Sequence, residues 1–228
     1  MPYYFDSYYL VLVLPAILIS LIAQLWVKSA YGRYSKKFSA YGLSAAAAVR
    51  KILDASGLDG VEIEHISGEL TDHFDPRANV IRLSDSVYDS SSVAAIGVAA
   101  HEAGHAMQHA SGYVPIKIRN AVYPAASFGS RLAMPMIVLG LILSFGVLVD
   151  LGIILFSAAV LFQLVTLPVE FNASRRAMAT LSDGILSGEE LSGAKRVLTV
   201  AAMTYVAAAL VSAMQLLRLV LLSRNRRN

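Results

Sequence analysis

Two histidines and a glutamate lie close together near the centre of the chain, in the stretch His101-Glu102-Ala103-Gly104-His105. Residues four apart share one face of a helix, so the two imidazoles could bind one metal ion. Glu102 lies beside that face, where a carboxylate can take a proton from metal-bound water. This HExxH pattern is therefore typical of a zinc site that activates water for hydrolysis.

The flanking sequence favours a helix around the motif. Serines at 90–92 could cap its first turn with a hydroxyl, and residues 93–107 are rich in alanine and contain no proline. The same motif can arise by chance on an ordinary helix, but here its neighbours are small and apolar. Burying two imidazoles and a carboxylate is costly unless something satisfies them, and a metal ion would do so.

A catalytic zinc site needs a third protein ligand and one open position. His109 lies on the same helical face as His101, but eight residues of helix rise about 12 Å. A Zn–N bond is only about 2.1 Å long, so these two histidines cannot share one ion. The extended pattern HExxHxxGxxH also fails, because Gln108 and Ser111 replace its glycine and third histidine. Glu170, a carboxylate at the end of an apolar run, is the best remaining donor.

Four stretches carry a resemblance to a known family: DHFDPR at 72–77, RLS at 82–84, VAAHEAGHA at 98–106 and EFNAS at 170–174. With these motifs and the placing of its apolar segments, nearly the whole chain resembles the YugP-type neutral zinc metallopeptidases of bacterial membranes. More distantly, it resembles the HtpX-type gluzincins. The resemblance implies a zinc ion bound by His101, His105 and Glu170, with Glu102 as the general base.

One position departs from the pattern of the more distant relatives. HtpX-type proteins carry an aspartate four residues after the ligand glutamate, which is thought to orient a zinc-bound histidine, whereas this chain has Ser174 there. A hydroxyl can make such a hydrogen bond but supplies no charge. Ser174 is therefore a candidate for orienting a ligand, and the departure does not affect the three implied ligands.

Composition places the chain in a membrane. Of its 228 residues 56% are hydrophobic, which is too apolar for an ordinary soluble domain. The absence of cysteine excludes disulfides and thiolate zinc sites. Basic residues cluster beside the apolar runs and at the C-terminus, which suits lipid headgroups better than nucleic acid. We expect the lipid bilayer as a partner and no nucleic acid.

The first apolar segment predicts an anchor that stays in the protein. Residues 8–27 are interrupted only by Ser20 and Gln24 and are long enough to span a bilayer. A cleaved signal peptide would need a basic start, but the start of this chain carries Asp6 and no lysine or arginine. By the positive-inside rule, the charges that follow place the catalytic region on the cytoplasmic face of a bacterial plasma membrane: Lys28, Arg33, Lys36 and Lys37.

Two later apolar runs, 132–149 and 151–169, predict a membrane hairpin. As one helix they would be about 55 Å long, whereas a hydrocarbon core is about 30 Å thick. They must therefore fold back, and we predict the turn at Asp150 and Gly152. The hairpin would return Glu170 to the side that carries the motif. A fourth apolar segment, 197–222, contains Arg218, and whether it crosses the membrane completely stays open.

Three short segments before the motif, 61–66, 70–74 and 80–83, predict strands of a small sheet. The edge of such a sheet could hold an extended peptide by strand addition. The family resemblance favours substrate binding along four consecutive residues of this sheet: Val80, Ile81, Arg82 and Leu83.

The predicted fold is mainly α with a small β-sheet, a zincin-like catalytic domain fused to about four transmembrane helices. We divide it into an N-terminal anchor, a catalytic region with the HExxH helix, a transmembrane hairpin, a third-ligand helix with a polar turn, and a C-terminal apolar helix with a basic tail. The corresponding residues are 1–27, 28–120, 121–169, 170–196 and 197–228.

These features predict a membrane-embedded zinc endopeptidase that acts on peptides or membrane proteins. One alternative is an intramembrane site-2-type protease, which would need the motif inside a span and a Leu-Asp-Gly motif in a later one; residues 150–152 are instead Asp-Leu-Gly. Another is a non-catalytic scaffold with structural zinc, against which Glu102 counts because a structural site needs no general base. The oxyanion donor, natural substrate, oligomeric state and regulatory partners stay open.

Overall fold

The structure is a computed structural model that describes residues 6–225. The ends of the predicted anchor and basic tail, residues 1–5 and 226–228, lie outside the described residues. A π-helical turn, Tyr9–Val13, leads into the first α-helix. The elements then follow in the order α1 Leu14–Tyr34, α2 Ala45–Ala55, β1 Glu62–Ile66, β2 His73–Asp75, β3 Val80–Ser84, α3 Val93–Ala110, α4 Val114–Ile142, α5 Gly146–Ser182 and α6 Gly188–Asn225. The prediction of a mainly helical chain with a small sheet is confirmed.

Four helices of the described chain are long and apolar enough to cross a membrane. They are α1 with its preceding π-helical turn, α4, α5 and α6. This agrees with the predicted number of transmembrane helices. The motif helix α3 is not one of the four.

The turn between α4 and α5 lies at residues 143–145, where Ser144 has a positive φ of 52°. The predicted turn at Asp150 and Gly152 is wrong, because both residues lie inside α5. Gly152 serves helix packing instead. A Cβ added there would lie 2.5 Å from Ile137 Cγ1 and 2.9 Å from the Ala133 carbonyl oxygen, so only glycine lets α5 approach α4 so closely.

The charge inside the last apolar helix is paired. Arg218 is 6% exposed, and its guanidinium lies 2.6 Å from Asp6 Oδ2. The guanidinium also lies over the Tyr9 ring, 5.2 Å from its centroid. A charge within an apolar helix is costly unless a partner satisfies it, and Asp6 supplies that partner.

The described chain forms two compact units, one of which carries the HExxH motif. This motif unit consists of Leu25–Ile116 and Val169–Met203. Its core is formed by apolar side chains of α2, the sheet, α3, the end of α5 and the start of α6. Ser44 caps α2, and Ser92, one of the serines predicted to cap the motif helix, caps α3; each accepts a backbone N–H bond at 3.2 Å.

The sheet has the strand order β1-β3-β2, so β3 is its central strand. β1 runs parallel to β3, and β2 runs antiparallel to it. The prediction of a substrate strand added along Val80, Ile81, Arg82 and Leu83 is therefore wrong. Their backbone lies between β1 and β2, and the three apolar side chains are buried in the core.

Arg82, the polar residue among these four, forms ion pairs within the sheet. Its guanidinium lies 2.8 Å from Glu64 Oε2 and 2.9 Å from Asp75 Oδ2, which ties the three strands together across one face. These bonds make Arg82 a structural residue of the sheet. Among the described residues, β2 pairs only with β3, so its other edge is the one that faces the motif.

Candidate metal centre

His101 and His105 from α3 meet Glu170 from α5. The ligand atoms of the three side chains all lie within 4.8 Å of one another. His101 Nε2 lies 3.2 Å and His105 Nε2 lies 3.7 Å from the same oxygen, Glu170 Oε2. The two imidazole rings are almost perpendicular, at 87°, with centroids 4.7 Å apart. Two imidazoles and one carboxylate are a donor set of catalytic zinc sites that keep a fourth position open.

The other nitrogen of the His101 ring is held by the serine that departs from the pattern of the distant relatives. Ser174 lies one helical turn after Glu170 on α5, and its Oγ is 3.1 Å from His101 Nδ1. When Nε2 binds a metal ion, the proton of the ring is on Nδ1, and the Nδ1–H group donates to the hydroxyl oxygen. Such a bond fixes both the tautomer and the orientation of a metal-binding imidazole.

His105 is held by Gln108, a residue that the motif analysis used only to exclude a longer pattern. The Gln108 side chain is completely buried, and its Nε2 donates to the Val169 carbonyl at 2.7 Å and to Asn172 Oδ1 at 3.0 Å. Its Oε1 is thereby left as an acceptor and lies 3.0 Å from His105 Nδ1. The sequence could have indicated this contact, because residues 105 and 108 lie one turn apart on the helix.

These contacts show that the residues fit a zinc ion. Both imidazoles have Nδ1 within hydrogen-bond distance of a protein oxygen, Ser174 Oγ for His101 and Gln108 Oε1 for His105. Both Nδ1 atoms can therefore carry the ring proton, which would leave both Nε2 lone pairs to a metal ion beside the buried Glu170 carboxylate. This arrangement of ligands and hydrogen-bonding partners is the usual one for histidine-bound zinc.

Replacing Gln108 with alanine is expected to weaken zinc binding about 10- to 100-fold, the usual cost of losing a partner that orients a ligand. The change leaves His105 Nδ1 without its acceptor. Asn172→Ala is the matched control, because Asn172 contacts Gln108 but not His105, and it should weaken binding much less. Zinc affinity is measured by competition with a chromophoric chelator. Wild-type affinity in Gln108→Ala would contradict the assigned role.

The helices that carry the ligands approach each other at Gly104, inside the motif. A Cβ added to Gly104 would lie 2.4 Å from the Ala173 carbonyl oxygen and 3.1 Å from Ala173 Cα. Both atoms belong to the backbone of α5, so α3 and α5 would have to separate. The glycine of the motif thus allows the close approach that brings Glu170 to the histidines.

Gly104→Ala should destabilise the protein by about 1–3 kcal/mol, as overpacking does, and should weaken zinc binding. Gly97→Ala on the same helix is the control, because its new Cβ would meet its nearest atom, Ala194 Cβ, at an ordinary 3.5 Å. Both changes gain the same helix propensity, so the difference isolates the steric effect. Thermal unfolding and zinc content are measured for both variants. Equal unfolding temperatures and equal zinc contents in the two variants would contradict the prediction, because they would show that α5 moves away from the new side chain without loss of stability.

Glu102 lies buried beside this group, and its position is set by the sheet. The backbone N–H of Phe74 on β2 donates to Glu102 Oε2 at 3.0 Å. Burial raises the pKa of the Glu102 carboxyl above its usual range, although His105 and His101 act in the opposite direction. A carboxyl with a raised pKa is a better proton acceptor near neutral pH than an ordinary one.

The pKa of His105 is also raised above its usual range, but by neighbouring carboxylates and not by burial. Burial alone would lower the pKa of His105, but the Glu170 carboxylate, with Oε2 3.7 Å from His105 Nε2, and the charge of Glu102 outweigh burial and raise it. Two carboxylates beside one imidazole favour a positive charge at this place.

The remaining histidines lie outside the group within residues 6–225. His65 Nε2 is 2.8 Å from Asp85 Oδ1, and His73 Nδ1 is 2.8 Å from the Thr71 carbonyl oxygen. His109 packs its ring against Phe74 with centroids 5.9 Å apart. His109 is therefore not brought to the histidines of the motif, in agreement with the helical-rise argument.

Comparison with known proteins identifies the family of the chain. A family model described as "Putative neutral zinc metallopeptidase" matches residues 9–224. The chain belongs to this family. It is 46% identical over 221 residues to "Putative membrane protease YugP" of Bacillus subtilis (strain 168), covering 96% of this chain and 98% of that relative. No solved structure matches the chain. The family resemblance predicted from the motifs is thus confirmed, and its description names zinc, for which the His-His-Glu group is suited.

Proposed function

We propose that this protein is a membrane zinc endopeptidase of the HExxH gluzincin type that hydrolyses peptide bonds in peptides or membrane proteins. The observation that carries the proposal is the placement of Glu102. Its buried carboxylate lies directly beside the group of His101, His105 and Glu170, and one of its oxygens is fixed by the Phe74 N–H. A structural zinc site needs no such carboxylate.

The reaction divides among the residues as follows. His101, His105 and Glu170 hold the metal, and Ser174 and Gln108 orient the two imidazoles. Zinc, when bound, acts as a Lewis acid that polarises the scissile carbonyl and lowers the pKa of bound water towards about 7. Glu102 accepts the proton of the attacking water as the new C–O bond forms. It then returns that proton to the departing amine nitrogen as the C–N bond breaks.

The edge of β2 is the element best placed to align a substrate. The β2 residue Phe74 contacts the proposed base through its backbone N–H, so the outer edge of this strand borders the reacting centre. An extended peptide added along that edge would run past Glu102. We therefore propose β2, and not β3, as the strand that a substrate joins.

We place the site at the cytoplasmic face of a bacterial plasma membrane in a multi-pass protein. The first apolar stretch, residues 8–27, is followed at once by four positive charges that favour the cytoplasmic side: Lys28, Arg33, Lys36 and Lys37. The four helices that could cross a membrane support the multi-pass arrangement.

The two alternatives receive less support. An intramembrane protease would carry its motif in a spanning helix, but α3 is not among the four helices that could cross a membrane. A structural zinc site would close the fourth position with a protein ligand. Within residues 6–225, the group has only three members.

Metal removal tests the proposed activity. The purified full-length protein in detergent is expected to cleave an unfolded protein substrate such as casein, and 1,10-phenanthroline should abolish cleavage. Adding one equivalent of zinc after removal of the chelator should restore it, because the three ligands are preformed. Cleavage that persists after complete zinc removal, verified by elemental analysis, would overturn the proposal.

A further inference from the structure

A groove of about 360 Å³ lies in the motif unit between the end of α1 and the start of α6. None of its lining residues belongs to the metal group or touches Glu102 in the described contacts. Its volume falls within the range of about 300–1,000 Å³ that is common for small-ligand sites. The lining residues are Trp26, Ser29, Ala30, Arg33, Tyr34, Ser192, Arg196 and Val200.

Helical periodicity aligns these side chains. On α1, residues 26, 29, 30 and 33 follow the spacing of one helical face, and on α6 residues 192, 196 and 200 do the same. Each helix contributes one arginine to the groove, Arg33 from α1 and Arg196 from α6.

The two guanidinium groups are not neutralised by protein. Neither Arg33 nor Arg196 forms an ion pair with a carboxylate in the part of the chain that the structure describes. The carboxylates at the start of α6 are engaged elsewhere. Glu189 lies 3.2 Å from Lys37 Nζ, and Glu190 Oε1 accepts the Ala40 backbone N–H at 2.8 Å. Two unneutralised guanidinium groups in one groove favour an anion, and their fork geometry suits phosphate oxygens.

Close packing of α1 on α6 forms the wall of the groove. A Cβ added to Gly193 would lie 2.7 Å from the ring carbons Cδ1 and Cε1 of Tyr34. The absence of a side chain at Gly193 therefore lets the Tyr34 ring lie against α6. The same ring faces the Arg33 guanidinium, 5.7 Å from the ring centroid. This packing holds one arginine over a fixed aromatic surface.

The groove is apolar at one end and charged at the other. Trp26, Ala30 and Val200 lie towards the apolar middle of the two helices, whereas Arg33 and Ser192 lie nearer the polar connections. A ligand that fills the groove must therefore be amphiphilic, with its anionic end at the arginines.

We propose that this groove binds an anionic phospholipid, with the phosphate of the headgroup between Arg33 and Arg196. The start of the acyl chains lies along Trp26 and Val200, and the Ser29 and Ser192 hydroxyls donate to headgroup oxygens. A free phosphate shares the charge but would leave the apolar end of the groove unfilled. The lipid is the occupant that matches both ends.

The single tryptophan of the chain, Trp26, lines the groove and reports on its occupant. The full-length protein in detergent micelles is titrated with phosphatidylglycerol carrying brominated acyl chains, which quench tryptophan fluorescence on contact. Brominated phosphatidylcholine is titrated in parallel. The wild type is expected to reach half-maximal quenching at about 30-fold less phosphatidylglycerol than phosphatidylcholine, because each of the two arginines contributes about 1 kcal/mol.

Two double variants separate the groove from general surface charge. Arg33→Gln with Arg196→Gln should lose the preference for phosphatidylglycerol. Lys28→Gln with Lys195→Gln is the matched control, because it removes the same charge from the same two helices at exposed residues that do not line the groove. The control should keep most of the preference, because neither lysine lines the groove. Equal thermal unfolding of both variants verifies folding.

Three results would overturn the proposal. The first is equal quenching of the wild type by both lipids. The second is the same loss of preference in the lysine control as in the arginine variant. The third is a change in Trp26 emission that requires both arginines and is caused by inorganic phosphate, while phosphatidylglycerol at the same concentration causes none. This result would assign the groove to free phosphate. None of these readouts depends on peptidase activity.

Discussion

Glu102→Gln is expected to abolish peptide hydrolysis while zinc remains bound. The amide that replaces the carboxylate cannot accept the proton of the attacking water, and removing a general base costs about 100- to 10,000-fold in rate. The amide oxygen can still accept the Phe74 N–H, so the side chain should keep its place. The three members of the metal group are untouched.

Turnover of a casein substrate and zinc content by elemental analysis are measured on the same preparation. Glu189→Gln is the control for loss of one carboxylate, because its side chain is 92% exposed and lies outside the metal group. It should cleave at the wild-type rate. Full activity in Glu102→Gln would remove the proposed mechanism, whereas joint loss of zinc and activity would make Glu102 a part of the metal site.

Glu170→Ala is expected to remove zinc itself. Its Oε2 is the atom towards which both Nε2 nitrogens converge, so its loss leaves two imidazoles without the third donor. Zinc affinity should fall by more than the roughly 100-fold upper limit for losing a residue that only orients a ligand. Activity at limiting zinc should fall in parallel, and excess zinc should restore part of it.

The comparison with Glu102→Gln makes this prediction specific. Both variants remove one buried carboxylate from the same site, but only Glu170→Ala should lose the metal. Ser174→Ala, which removes only the hydroxyl that holds His101, should have an intermediate effect. Zinc bound to Glu170→Ala with wild-type affinity would place the third ligand elsewhere and would refute the proposed metal site.

Local features of the fold follow from local sequence. The spacing of His101 and His105 places them on one helical face whatever surrounds the helix, because helical periodicity involves only neighbouring residues. The cap of α3 was predicted among the serines at 90–92 for the same reason, since Ser92 bonds to a backbone group three residues away. The apolar runs likewise predicted the membrane helices from their length.

The predictions that failed concern relations between elements. Alternating hydrophobicity identified three strands, but it does not specify strand order, and the parallel pairing of β1 with β3 placed the presumed substrate strand in the middle of the sheet. The hairpin turn was placed at Asp150 and Gly152, but Gly152 lies inside α5, where it allows close packing against α4. The spacing of His105 and Gln108 gave a local indication of their contact, but the bonds that hold Gln108 in place reach Val169 and Asn172, far along the chain.

The amino-acid sequence by itself determined the family, the paired imidazoles with their neighbouring carboxylate, and the four apolar helices. Each of these depends on residue type and short-range spacing. Only the tertiary structure decided that Glu170 and Ser174 lie against His101, that Gln108 holds His105, and that two arginines from distant helices share one groove. These contacts depend on close approach between helices, as at Gly104, where the backbone of α5 occupies the space that a side chain would need.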